Sequence, residues 1–147
     1  MGNMGNMGKR IVAAWALALL LIPGCGGSNA DDFVGTYDVN VALTVTLLGV
    51  SMPQQTMETL TINEGTTTDL VIMRETCPLG ANITDGSRFE IPSFSCDITV
   101  SSASATASGM GTGSVNNGQL TLTLDGMVTV AVLGTIPFTL TATGPRR

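Results

Sequence analysis

From position 33 onward this chain alternates. Tyr37, Val39, Val41, Leu43, Val45 and Leu47 are separated one by one by Asp38, Asn40, Ala42, Thr44 and Thr46. A period of two puts the apolar set on one face of an extended strand and the polar set on the other. The pattern stops at Gly49-Val50-Ser51-Met52-Pro53, where glycine and proline break strand pairing. Residues 54–64 resume it with Leu60 and Ile62 inward, Asn63-Glu64-Gly65-Thr66 supplies a turn, and residues 69–75 read as a third strand. Residues 76–87 contain Pro78, Gly80 and Gly86 without periodicity and are expected to form the longest loop. In residues 88–100 the apolar frame runs Phe89, Ile91, then Phe94, Cys96, Ile98, Val100. It slips by one residue across Pro92-Ser93, which predicts a β-bulge.

Residues 101–114 are small, rich in Ser, Ala and Gly, and alternate weakly. They fit either a strand packed closely by its neighbours or a loose edge. Asn116-Asn117-Gly118 predicts a tight hairpin, because Asn-Gly tolerates the positive φ that a type I′ turn requires. Residues 119–124 pair back, with Leu120, Leu122 and Leu124 on one face; Asp125-Gly126 reads as a turn. Val128, Val130 and Val132 then alternate, residues 134–137 turn, and Phe138, Leu140 and Ala142 finish the pattern. The last two strands echo the first two, since Leu48-Gly49 and Leu133-Gly134 each join threonine-rich alternating segments.

The expected fold is all-β: an antiparallel up-and-down meander of about eight strands with no convincing helix. A barrel is favoured over a sandwich, because open edges in so apolar a chain would need protection that lysine usually supplies, and this region has no lysine. Gly35-Thr36-Tyr37 at the start of the first strand also resembles the Gly-x-Trp opening of lipocalins, with tyrosine in place of tryptophan. That resemblance implies a barrel able to carry a small apolar ligand.

Ahead of the strands, Lys9-Arg10 precedes an apolar run over residues 11–22. The run is too short to cross a bilayer, which takes about 20 residues, and has the layout of an export signal. Met1, Met4 and Met7 would each leave a complete leader. Ile22-Pro23-Gly24-Cys25 resembles the lipobox of bacterial lipoproteins. The resemblance implies that the Cys25 thiol receives a diacylglyceryl group, that the bond before it is cut, and that the new amino terminus is acylated. Two or more chains anchor stably without spanning. The expected organisation is a signal peptide at 1–24, a flexible glycine-rich tether at 25–32 and a single β domain at 33–147. Gly26 is not the aspartate that retains some lipoproteins at the inner membrane, so the expected address is the cell envelope at the outer membrane.

Removing the leader leaves Arg74, Arg88, Arg146 and Arg147 against eleven carboxylates, a net charge of −7. Phosphate-backbone binding needs clustered cations, so no nucleic-acid partner is expected. The remaining chain has neither lysine nor histidine, which removes the commonest general base, metal ligand and Schiff-base nucleophile together. Carboxylate pairs such as Asp31-Asp32 or Glu58 with Glu64 have no spacing that forces a glycosidase cleft. Asp85-Gly86-Ser87 and Asn63-Glu64 offer loop oxygens but not the EF-hand spacing. No catalytic site, metal or cofactor is therefore expected.

With Cys25 assigned to lipid, Cys77 and Cys96 form an even pair in an exported chain and are expected to make a disulfide. Met52, Met57, Met73, Met110 and Met127 are expected to fill the core, or alternatively to line an adaptable cavity. Arg74 and Arg88 flank the long loop, where they would pair with Glu75 or Glu90 or meet an anionic head group. The functional expectation is a lipid-anchored envelope protein whose β domain has a structural or protein-interaction role. The alternative is a lipocalin-like carrier of a small apolar ligand.

Overall fold

In the computed structural model, residues 29–74 and 77–147 are described. The expected signal peptide and Cys25 lie outside them. Eight antiparallel strands follow one another around a closed ring: β1 (Gly35–Leu47), β2 (Val50–Glu64), β3 (Leu70–Met73), β4 (Leu79–Asp85), β5 (Arg88–Val100), β6 (Ala103–Asn116), β7 (Gln119–Val130) and β8 (Gly134–Pro145). The ring closes by pairing β1 with β8, from Asn40 opposite Thr143 to Val45 opposite Phe138. Every strand thus joins its sequence neighbour, as the meander pattern predicts.

Two differences from the sequence reading offset each other in the strand count. The segment expected to be a long loop contains β4, whose Leu79 and Ala81 are buried in the core. Gly80 and Asn82 on its outer side disguise the alternation. Asp125-Gly126 is not a turn but lies inside the continuous β7, where a Cβ on Gly126 would collide with the Ser108 carbonyl of β6 and crowd the Phe138 ring. Strand β2 also begins earlier than expected and includes Pro53 opposite Thr44. Proline is tolerated on a strand with a free edge, and β2 has one there.

The bulge is found where the apolar frame slips, between Ile91 and Phe94. The small-residue segment is strand β6, not a loose edge. Its inward positions include Gly109, Gly111 and Gly113, and a methyl at Gly113 would overlap the Phe89 ring. Large side chains from neighbouring strands occupy the space that β6 leaves free, which keeps the interior close-packed despite weak alternation.

The barrel is filled at one end only. Phe33, Tyr37, Leu60, Ile62, Leu70, Ile72, Phe89, Leu120 and Leu122 are fully buried toward the end that carries the β2–β3, β4–β5 and β6–β7 turns. Ala30–Asp32, assigned to the tether by sequence, form a short 3-10 turn that brings Phe33 under this end, edge-on to Phe89 at 5.8 Å. At the other end the wall is incomplete. Strands β3 and β4 pair with β2 only over Thr61–Glu64 and with β5 only near Arg88–Glu90. Beyond that level, β2 back to Val50 and β5 on to Val100 have no strand on their second edge among the described residues.

Candidate functional site

The closed pole is sealed by Tyr37 and Arg146. The Tyr37 hydroxyl donates to the Phe33 carbonyl at 2.7 Å and accepts from the Arg146 guanidinium at 2.8 Å. The same guanidinium lies 5.4 Å from the tyrosine ring centre and donates to the Asp32 carbonyl at 2.6 Å. Arg147 pairs with Asp38 at 2.8 Å. That guanidinium holds the Asp38 carboxyl below the usual carboxylate range. This cluster ties both ends of the β domain together and leaves no opening.

The opposite pole opens into a cup of about 460 Å³. Leu43, Phe94, Ile98, Val128, Phe138 and Leu140 line it from four of the long strands. They are the inward positions that continue, toward the open end, the same rows that form the packed core lower down. A cup of this size falls in the range that holds small molecules, which such sites enclose mainly with apolar walls and a few polar groups. Here the polar group is one ion pair. Arg74 donates to Glu58 through Nε at 3.1 Å and Nη2 at 3.3 Å, and both side chains are about a third exposed or less. Glu58 is opposite the buried Val39 and so faces inward.

Cys77 and Cys96 form the disulfide, with Cα atoms 5.7 Å apart, and both line the cup. The β3–β4 connection is therefore held twice: covalently to β5 through Cys96 and by charge to β2 through Glu58. It straps the gap between the two free edges. A larger hollow of about 650 Å³ lies over the β2–β3 turn, but it is a shallow depression walled by Thr66, Thr67 and Thr68 and open to water.

The remaining candidates do not converge on this site. Glu58 and Glu64 lie on one strand six residues apart, about 20 Å by strand rise, and face no common cleft. Asp31 and Asp32 belong to the 3-10 turn. Asp85 accepts from the Ser87 N–H at 3.0 Å and lies 3.9 Å from Arg88, which pairs with it rather than with Glu90. Among the described residues no cluster of three metal-ligating side chains exists. The methionine expectation fails in both forms: Met52, Met57, Met73, Met110 and Met127 are exposed. Met57 is opposite Asn40 and Met110 opposite Asp125, on the polar outer face, so alternation fixes their direction. The cup was legible only in part, since periodicity marks which residues point inward but not at which height the interior stops being filled.

No known protein family and no curated protein matches this chain. In fold it is similar to a crystal structure from Bacteroides fragilis of a protein provisionally named an outer membrane protein. The TM-score is 0.53 at 16% identity, over 81% of this chain and 53% of that one. This chain thus spans about half the length of that protein, and the likeness is one of fold.

Proposed function

We propose that this protein is a lipid-anchored, non-enzymatic component of the bacterial cell envelope, placed at the outer membrane, whose barrel carries a small apolar ligand in its open cup. The observation that supports the carrier role is the cup itself: an apolar interior left unfilled above a packed base, with a single ion pair on its wall. A ligand with an apolar body and one polar end fits that lining. The lipobox at Cys25 supports the anchor, and the fold likeness to a protein provisionally named for the outer membrane supports the address.

The barrel wall argues against spanning the membrane. Thr121, Thr123, Thr139, Thr141 and Thr143 face outward while Leu120, Leu122, Leu140 and Ala142 face in. A barrel that crosses lipid needs the reverse, an apolar outer band. Among the described residues no helix is long and apolar enough to cross either.

A second reading, a protein-interaction role, draws on the free edges of β2 and β5, because an unpaired edge can accept an added strand. Native mass spectrometry of protein extracted from its membrane separates the two. A copurified small molecule, lost in Ala107→Phe where the cup is filled, is the expected result. Empty protein across preparations, together with no uptake of an apolar fluorescent probe, would reject the carrier. Labelling with a fatty-acid analogue, abolished in Cys25→Ser, tests the anchor.

A further inference from the structure

Three hairpins rise around the cup; two end in apolar residues and the third in Ser101-Ser102 just after Val100. Leu48 at the β1–β2 tip is 96% exposed, Val132 and Leu133 at the β7–β8 tip are 89% and 63% exposed, and Val50 and Val100 stand beside them. The segments that carry these tips are uncharged over residues 39–57, 98–124 and 126–145. The charged residue nearest to a tip in sequence is Asp97, three residues before Val100 on the outer wall, where it accepts a hydrogen bond from Thr106. Below the apolar points the outer wall is a collar of hydroxyls, including Thr46 with Ser51 and Thr129 with Thr135.

The turn at Leu48 adds an independent observation. Leu48-Gly49 has φ values of 52° and 79°, the left-handed pair of a two-residue hairpin, and Asn117-Gly118 at the other pole has 51° and 73°. Asparagine suits that first position, whereas leucine is strained in it and nearly all its surface is in water. Neither local backbone preference nor packing explains the residue, so what it meets outside the molecule must.

We propose that this pole is a membrane-docking surface, with the Leu48 and Val132-Leu133 tips entering the outer layer of a lipid bilayer and the hydroxyl collar, together with the Ser101-Ser102 turn, lying at head-group level. A bilayer fits better than a protein partner because the apolar points are separate protrusions around an open mouth, not a continuous face. A fluid apolar medium closes around such points, while a rigid partner would need a matching pit for each. The tips carry no cation and Arg74 on the cup wall is paired with Glu58, so the contact is independent of anionic lipid. The chain enters the barrel at the opposite pole, so the tips point away from any anchor at Cys25. The contact is separate from ligand uptake and can fail without it, although it turns the cup mouth toward lipid.

The only tryptophan in the chain is Trp15, in the leader, so an introduced one reports its own surroundings. Protein with the leader and its Trp15 removed and with Cys25→Ser, carrying Val132→Trp and mixed with excess vesicles of zwitterionic phosphatidylcholine brominated on the acyl chains, should show blue-shifted and quenched emission. Gln119→Trp at the closed pole should show neither. Adding Leu48→Asp and Leu133→Asp to the Val132→Trp chain should abolish the quenching while the Cys77–Cys96 bond and the β-sheet circular dichroism are retained. Replacing half the lipid by phosphatidylglycerol should leave the quenching unchanged. Unquenched Val132→Trp, equal quenching at both poles, quenching that survives the two aspartates, or quenching that requires anionic lipid would each overturn the proposal.

Discussion

The two poles of the barrel use the same backbone for different ends. At the closed pole, Asn117-Gly118 turns the chain with residues suited to positive φ, the interior is packed, and arginines bridge the chain's two ends. At the open pole, Leu48-Gly49 and Ser101-Ser102 take the same left-handed pairs, with φ of 52° and 79° and of 49° and 72°. There the interior holds the cup and the tips carry no charge. Stability is concentrated where the barrel is sealed, and the open pole gives some of it up. The elements drawn from the less stable part of a fold are those free to bind.

The largest test of that division is at Tyr37. Truncation to alanine removes a fully buried ring and the hydroxyl that links Phe33 to Arg146. The expected loss is about 3–5 kcal/mol, read as a lowered denaturant midpoint. Tyr37→Phe, which leaves the Phe33 carbonyl without its donor, should cost about 1–3 kcal/mol. An equal loss from Val128→Ala in the cup would erase the distinction between the poles.

The disulfide comes next. Replacing Cys77 and Cys96 together by serine opens a loop with a sequence separation of 19, which the loop-entropy account values at about 3 kcal/mol. The effect should also be local. Amide exchange should accelerate on β5 from Phe94 to Val100, whose second edge has no strand, while Leu120 and Leu122 in the packed base keep most of their protection. Uniform acceleration over both poles would mean that the strap supports the whole barrel.

These tests bear on what the amino-acid order could and could not convey. Strand number, meander order, the slip at Pro92-Ser93 and the Asn117-Gly118 turn were all legible, because each depends on local alternation or on a single residue's φ preference. Strand β4 and the continuity of β7 were not. Gly80 and Asn82 hide the first, and Gly126 mimics a turn when it leaves room for the Ser108 carbonyl and the Phe138 ring, both distant in sequence. The outward methionines were misread from composition, though Met57 and Met110 occupy polar-face positions that strict alternation would have assigned. The cup was legible only as the lipocalin-like alternative, without its position or depth. Leu43 and Val45 continue the row of Val39 and Val41 without a break, and only the shortness of β3 and β4 shows where packing ends.

A smaller effect, of opposite sign, is expected at Leu48. Asparagine accepts left-handed φ more readily than leucine, so Leu48→Asn should stabilise the fold by about 1 kcal/mol while weakening lipid contact. The counterpart Asn117→Leu should destabilise by a similar amount with no effect on lipid. A Leu48→Asn chain that is less stable than the parent would show that the leucine packs against the barrel rather than serving an outside surface.

The smallest effect concerns pH and separates the poles by charge alone. Asp38 accepts from Arg147 and from Thr59, so its folded pKa lies below the unfolded value of about 3.9. A carboxyl with a depressed pKa contributes stability that is fully present above the unfolded value and disappears as pH falls through the folded one. The contribution of this pair should therefore be constant from neutral pH down to about 4 and fade only below it. The pair is exposed, so salt should screen it. Asp38→Asn should flatten that acid limb of a stability-against-pH curve. The tips carry no ionisable side chain, since residues 39–57, 98–124 and 126–145 are uncharged. Lipid quenching of Val132→Trp should then stay level from pH 7 to 5, and a steep change across that interval would show that charge governs the open pole after all.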